Sequence, residues 1–233
     1  MTGLKPSSFP HDTTSPLHPT THLSISHPPS SQSTLRIAPI LSTHQATPSP
    51  TLPVLAVTSS SSLSRTLTCR AVSDDEGHDD TDDGGQPPLA TLSSPLLAFG
   101  RWTISFSAAA SLSEAAGSGE GEARRRGDAG EGEGGTGCPG LRIGDIELHP
   151  VSSRSSADVF VLSGVPFFWE RGDGATRTLH KVVNGRKVDV AIFTGRRTRD
   201  AEGVMAVDET HVNALVAAVT CVAVLKRTDS FRM

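Results

Sequence analysis

A histidine and an aspartate stand nine residues apart across an Asn184-Gly185 dipeptide, and two β-rich runs, Thr176 to Val183 and Arg186 to Phe193, flank that dipeptide. Asn-Gly supplies positive φ at both central positions of a type I′ turn, so a two-residue hairpin is expected. The register then follows by counting outward from the turn. Val183 faces Arg186, Lys181 faces Val188, His180 faces Asp189 and Leu179 faces Val190. One face carries Leu179, Val183, Val188, Val190 and Ile192, and it is apolar enough to be the core side. The other carries Thr178, His180, Lys187 and Asp189. A His–Asp pair can orient a general base. No Ser or Cys nucleophile is placed beside this one, so it reads as an exposed cross-strand ion pair. His149 and His211 are equally isolated. No catalytic residue is assigned, and the chain leans away from being an enzyme.

The second group is basic. Arg177, Lys181, Arg186 and Lys187 lie on the hairpin, and Arg196, Arg197 and Arg199 follow it in the run GRRTRD. Together they are expected to make one end of a domain cationic, a surface for an acidic protein or for phosphates. No aromatic residue is interleaved with them, so stacking on single-stranded bases lacks support and nucleic acid is disfavoured. Arg171-Gly172-Asp173-Gly174 reads as a turn.

Metal and cofactor chemistry find little purchase in the sequence. His78 sits in an acidic run from Asp74 to Asp83, but a flexible tract offers no fixed ligand geometry, so the run reads as a solvated spacer. Cys69, Cys138 and Cys221 form no CxxC pair, which leaves a zinc ribbon or a thiol redox site unsupported. The glycines of residues 117–140 follow no GxGxxG pattern after a strand. The expectation is no cofactor and no metal.

The elements that must position these residues are expected in the C-terminal part. Leu141, Ile143, Ile146 and Leu148 suggest a first strand kinked at Gly144. Asp158 to Trp169 reads as a buried apolar strand that Pro166 limits to an edge or ends. Val212 to Leu225 is apolar on nearly every side, a pattern of a buried helix, with Asp208 or Thr210 as its cap and Lys226-Arg227 at its end. The fold class expected is α+β. A small antiparallel sheet over 141–228 packs on a C-terminal helix, and a long, mostly disordered N-terminal half precedes it.

Composition supports that division. In 233 residues, hydrophobic types make up 36% and aromatics 4%, too little to bury apolar surface along the whole length. The net charge of −4 argues against a strong overall attraction to nucleic acid or anionic membrane. Phe99, Trp102 and Phe106 are spaced i, i+3, i+7, which predicts an amphipathic helix over 94–116. It is expected to dock on the core; the alternative is a helix lying on a membrane surface. Residues 117–140 form a Gly/Glu linker and 73–93 an acidic disordered spacer.

Residues 2–72 are rich in Ser, Thr, Pro and His, hold a single acid, Asp12, and carry scattered bases. Thr68-Cys69-Arg70-Ala71-Val72-Ser73, followed directly by acids, resembles the processing junction of chloroplast precursors. The resemblance implies a transit peptide over 1–72, removed near Ala71, and a chloroplast location in the stroma or at the thylakoid. The functional expectation is a plastid-targeted, non-catalytic accessory or assembly protein acting through contacts with another plastid protein or complex. Peripheral membrane association is the second reading, and RNA binding by the basic end of the hairpin the third.

Overall fold

A computed structural model describes residues 5–28, 31, 33–40, 52–59, 65–72, 87–95, 100–107, 144–152, 156–195 and 203–228. Its strands are β1 (Thr21–Ser26), β2 (Thr34–Pro39), β3 (Leu55–Ser59), β4 (Thr66–Ala71), β5 (Ala90–Ser93), β6 (Trp102–Phe106), β7 (Ile146–Pro150), β8 (Asp158–Leu162), β9 (Val165–Arg171), β10 (Thr176–Val183), β11 (Arg186–Gly195) and β12 (Gly203–Val207). One helix follows, α1 (Ala214–Arg227). The twelve strands are antiparallel, each pairs with its neighbours in sequence, and β1 closes the ring on β12. Closure removes the open sheet edges that would otherwise template pairing with other chains.

Strands β1 to β7 obey the period of two, whereas β8 and β9 each bury three residues in succession, Asp158–Phe160 and Phe167–Trp169. Leu23 and Ile25 of β1, Leu35 and Ile37 of β2, Leu55 and Val57 of β3, and Leu67 and Cys69 of β4 all point into the core. Between them Ser24, Thr58, Thr68, Thr91 and Thr103 take the other face, half-buried or exposed. Among the described residues, hydroxyl side chains such as Ser24, Thr58 and Thr68 therefore belong to the outer face of a barrel wall. β-branched Thr suits that pleated, half-buried surface.

Helix α1 fills the lumen. Every residue from Ala214 to Leu225 is buried. The helix touches β6 and β12, which stand opposite each other in the ring. The Trp169 indole N–H of β9 donates to Thr220 Oγ1 in mid-helix at 3.0 Å. Val-rich sequence is a mediocre helix former, but burial on all sides outweighs propensity. Asn213 caps the helix by accepting from the Leu215 N–H at 2.9 Å. Asp208 instead closes the preceding turn, taking both the N–H and the hydroxyl of Thr210.

The expected small sheet on a helix is thus overturned: the fold is a closed barrel around a helix. A mostly disordered N-terminal half is overturned with it, because the described residues there supply β1 to β6. Removal near Ala71 would take away β1–β4, so cleavage there and this barrel exclude each other. The helix expected over 94–116 is replaced across Trp102–Phe106 by β6, and Phe99 lies outside the described residues. Trp102, Ile104 and Phe106 also fit the strand period, and a short apolar run does not discriminate between the two. The single strand expected over Asp158–Trp169 is β8 and β9, joined by Ser163 and Gly164 at φ 50° and 78°. The Gly/Glu linker and the acidic run of Asp74–Asp83 lie outside the described residues.

The Asn184-Gly185 hairpin forms with φ of 51° and 74° at the two turn residues. Its register matches the count from the turn as far as His180 opposite Asp189. A β-bulge then shifts it, so Leu179 faces Ala191 and Val190 becomes the extra residue. The bulge reverses the rest of β11: Phe193, not Ile192, enters the core. Beyond it, Gly195 of β11 faces Gly203 of β12. A Cβ on Gly203 would lie 2.5 Å from Phe193 Cε2 and 2.5 Å from the Thr194 carbonyl oxygen. Gly203→Ala should therefore lower stability by about 1–3 kcal/mol, read as a lower urea midpoint at unchanged slope.

Candidate functional site

The N-terminal segment ahead of β1 crosses the outer face of β9–β11. The Lys187 N–H donates to the Pro10 carbonyl at 2.9 Å, and the Asp12 N–H donates to the Lys187 carbonyl at 2.8 Å. Pro6–Ser8 forms a short 3₁₀ turn, which Pro6 opens naturally because its missing N–H is not needed there. Phe9 lays its ring 5.8 Å from that of Phe168, and Phe168 is fully buried beneath this strap.

Phe168, His180 and Asp189 are cross-strand neighbours on β9, β10 and β11. The strap adds His11. Asp189 Oδ1 accepts from His180 Nδ1 at 2.7 Å and from His11 Nε2 at 2.8 Å. The rings of His11 and His180 meet edge to face, 5.5 Å apart. A carboxylate only accepts, so a neutral ring making these bonds carries its N–H on His180 Nδ1 and on His11 Nε2. The hydrogen bond from His180 holds the Asp189 carboxyl below the ordinary carboxylate range; burial opposes it and the bond from His11 adds to it. On the far side of the His180 ring, Nε2 lies 3.8 Å from Glu170 Oε2. Glu170 Oε1 in turn accepts from Lys187 Nζ at 2.8 Å.

The pairing of His180 with Asp189 is the one expected from the turn, but its setting is not. His180 is only 7% exposed rather than solvated. The strap covers it, and its residues had been assigned to a leader. No sequence signal ties His11 to a position nearly 180 residues away. Among the described residues, His11, His180 and Asp189 bring three ligand atoms within 4.8 Å of one another.

Beside this cluster lies a groove of about 520 Å³. Lys5 and Ser7 of the strap form one side, Ser156 and the end of β7 another, and Glu170, Arg171 and Lys187 the floor and rim. Three cations against one carboxylate make it basic.

The described residues of the expected cationic surface lie on different sides of the hairpin. Arg177 is 4% exposed on the core side of β10, where its Nη2 donates to Thr228 Oγ1 at 3.3 Å. Burial pulls its pKa below the usual guanidinium value. Lys181, four residues on and on the same side of the strand, donates to the His211 carbonyl at 3.2 Å and sits over the Phe167 ring. Alternation along β10 sends both away from Lys187, which alone of the hairpin set lines the groove. Arg186 is exposed at the turn. Arg196, Arg197 and Arg199 lie outside the described residues. Sequence reasoning missed Lys5, His11, Glu170 and Arg171, whose types are unremarkable until the barrel closes. Cys69 and Cys221 are buried, and burial pushes both thiols up to about 12, so they are inert.

In comparisons with known proteins, no family model, no curated protein and no solved structure matches this chain.

Proposed function

We propose that this protein is a non-catalytic accessory protein that holds an acidic segment of a partner protein in the groove between the strap and β9–β11. The observation that carries this reading is the groove itself, with Lys5, Arg171 and Lys187 gathered around one carboxylate on a chain of net charge −4. A cationic cleft on an otherwise acidic molecule steers an anionic partner to one place. The lumen offers no rival because α1 occupies it. No aromatic residue lines the groove, so bases have no platform to stack on. The exposed large apolar residues Ile40, Val72 and Val204 stand outside the groove, which gives a lipid surface nothing to bury there.

The test is titration of a fluorescent Glu-rich peptide with the full chain. Reversing the charge at Lys5 and Arg171 together should weaken binding by about tenfold or more, with a salt dependence that shrinks in the variant. Arg101→Glu, at an exposed position away from the groove, is the control and should change little. Peptide affinity that survives the double reversal, or a stronger response to RNA than to peptide, overturns the reading.

A further inference from the structure

We infer that His11, His180 and Asp189 form a binding site for a divalent first-row transition ion of the zinc type. The proposal stands on geometry independent of the groove. Three ligand atoms, two imidazole nitrogens and one carboxylate oxygen, converge from three separate segments: the strap, β10 and β11. Imidazole with carboxylate suits Zn²⁺ and its first-row neighbours. It is too nitrogen-rich for Ca²⁺ or Mg²⁺ and lacks the thiolate that selects Cu⁺.

The surroundings match a ligand set as well as a hydrogen-bonded triad. His180 is buried against Phe168, and its second nitrogen faces Glu170 at 3.8 Å. A ligating histidine usually gives its other N–H to a carboxylate, which fixes the ring and raises its basicity. Glu170 is itself anchored by Lys187. Entry of the ion needs no net proton release from neutral rings. The His180 proton moves from Nδ1 to Nε2, toward Glu170, and the His11 proton from Nε2 to Nδ1. Each freed nitrogen lone pair then bonds the ion, beside Asp189 Oδ1. Ligands about 2.0–2.1 Å from a common tetrahedral ion stand about 3.3 Å apart. The present separations of 2.7 and 2.8 Å must therefore widen. His11 can widen its own contact because it rides on the strap and its side chain is 42% exposed, and rotation of the half-buried Asp189 carboxylate can widen the contact with His180. The ion would staple the strap to the hairpin.

The experiment uses the full chain with Zn²⁺ by calorimetry and Co²⁺ as a coloured stand-in. The expected result is one equivalent bound, a visible Co²⁺ spectrum, and a higher Tm with Zn²⁺ but not with Mg²⁺. His11→Ala leaves the barrel wall intact, yet should weaken Zn²⁺ binding by about a hundredfold or more and abolish the Tm rise. Glu170→Gln should weaken it by about tenfold to a hundredfold, as loss of an outer-shell partner does. Asp189→Asn is the second ligand variant, and circular dichroism confirms that each variant folds. A chain that takes up neither ion at micromolar concentration overturns the proposal. So does binding that His11→Ala and Asp189→Asn leave unchanged, which would place the ion elsewhere, as around His78.

Discussion

A chain lacking residues 1–72 will not form the barrel. It loses β1–β4, and with them Leu23, Ile25, Leu35, Ile37, Leu55, Val57 and Leu67, all essentially inaccessible to solvent. Burying such a side chain is worth about 1.5–3 kcal/mol, so the set contributes on the order of 10–20 kcal/mol. That is as large as the whole net stability of an ordinary domain, about 5–15 kcal/mol. The truncation also leaves β5 and β12 as unpaired edges and opens the α1 surface to water. The expected outcome is an aggregating product with no cooperative thermal transition, seen by circular dichroism and gel filtration beside the full chain. A monomeric, cooperatively melting 73–233 fragment would refute the closed barrel.

The second large effect lies where α1 leaves the lumen. Arg227 Nη2 donates to Asp158 Oδ2 at 2.7 Å, and the Asp158 side chain is only 1% exposed. Burial raises the Asp158 pKa above its ordinary 3.8, and the bond from Arg227 pulls it partly back. Arg227→Ala strands that carboxylate. Breaking one side of such a pair costs about 3–5 kcal/mol, because the remaining charge stays desolvated. The sign of the pH dependence follows. A carboxyl whose folded pKa is raised favours the fold below its unfolded value, and that advantage is lost as pH rises through the folded value. Without Arg227 the folded value climbs further. The deficit of Arg227→Ala relative to the native chain should therefore be largest at neutral pH and shrink as the pH falls through the raised Asp158 values of the two proteins. Urea melts of the two proteins across that range measure it. A deficit independent of pH would show that Asp158 is not the group left exposed to the loss.

Local signals were legible wherever the chain talks to its near neighbours. Asn184-Gly185 placed His180 opposite Asp189, since two residues of required positive φ define a hairpin and its register. The apolar run before Lys226-Arg227 announced a buried helix, because a helix apolar on all sides has no face to show to water. The bulge at Leu179 was not legible, as one extra residue leaves no mark in an apolar run yet reverses every side chain beyond it. Plain alternation, not the bulge, divides the basic residues: Arg177 and Lys181 share the core side of β10, and Lys187 of β11 points outward.

By itself the sequence determined the Asn184-Gly185 turn, the hairpin register as far as His180, and the buried C-terminal helix, all of which depend on residues a few positions apart. The barrel was decided by pairing between segments far apart in the chain, above all β1 with β12. The hydroxyl-rich segments looked too polar to fold because half of each is meant for water, and a strand needs only every second residue for a core. The site was decided at the same level. His11 meets Asp189 only after the ring has closed and brought the strap back across the last hairpin, and no spacing along the chain records that meeting.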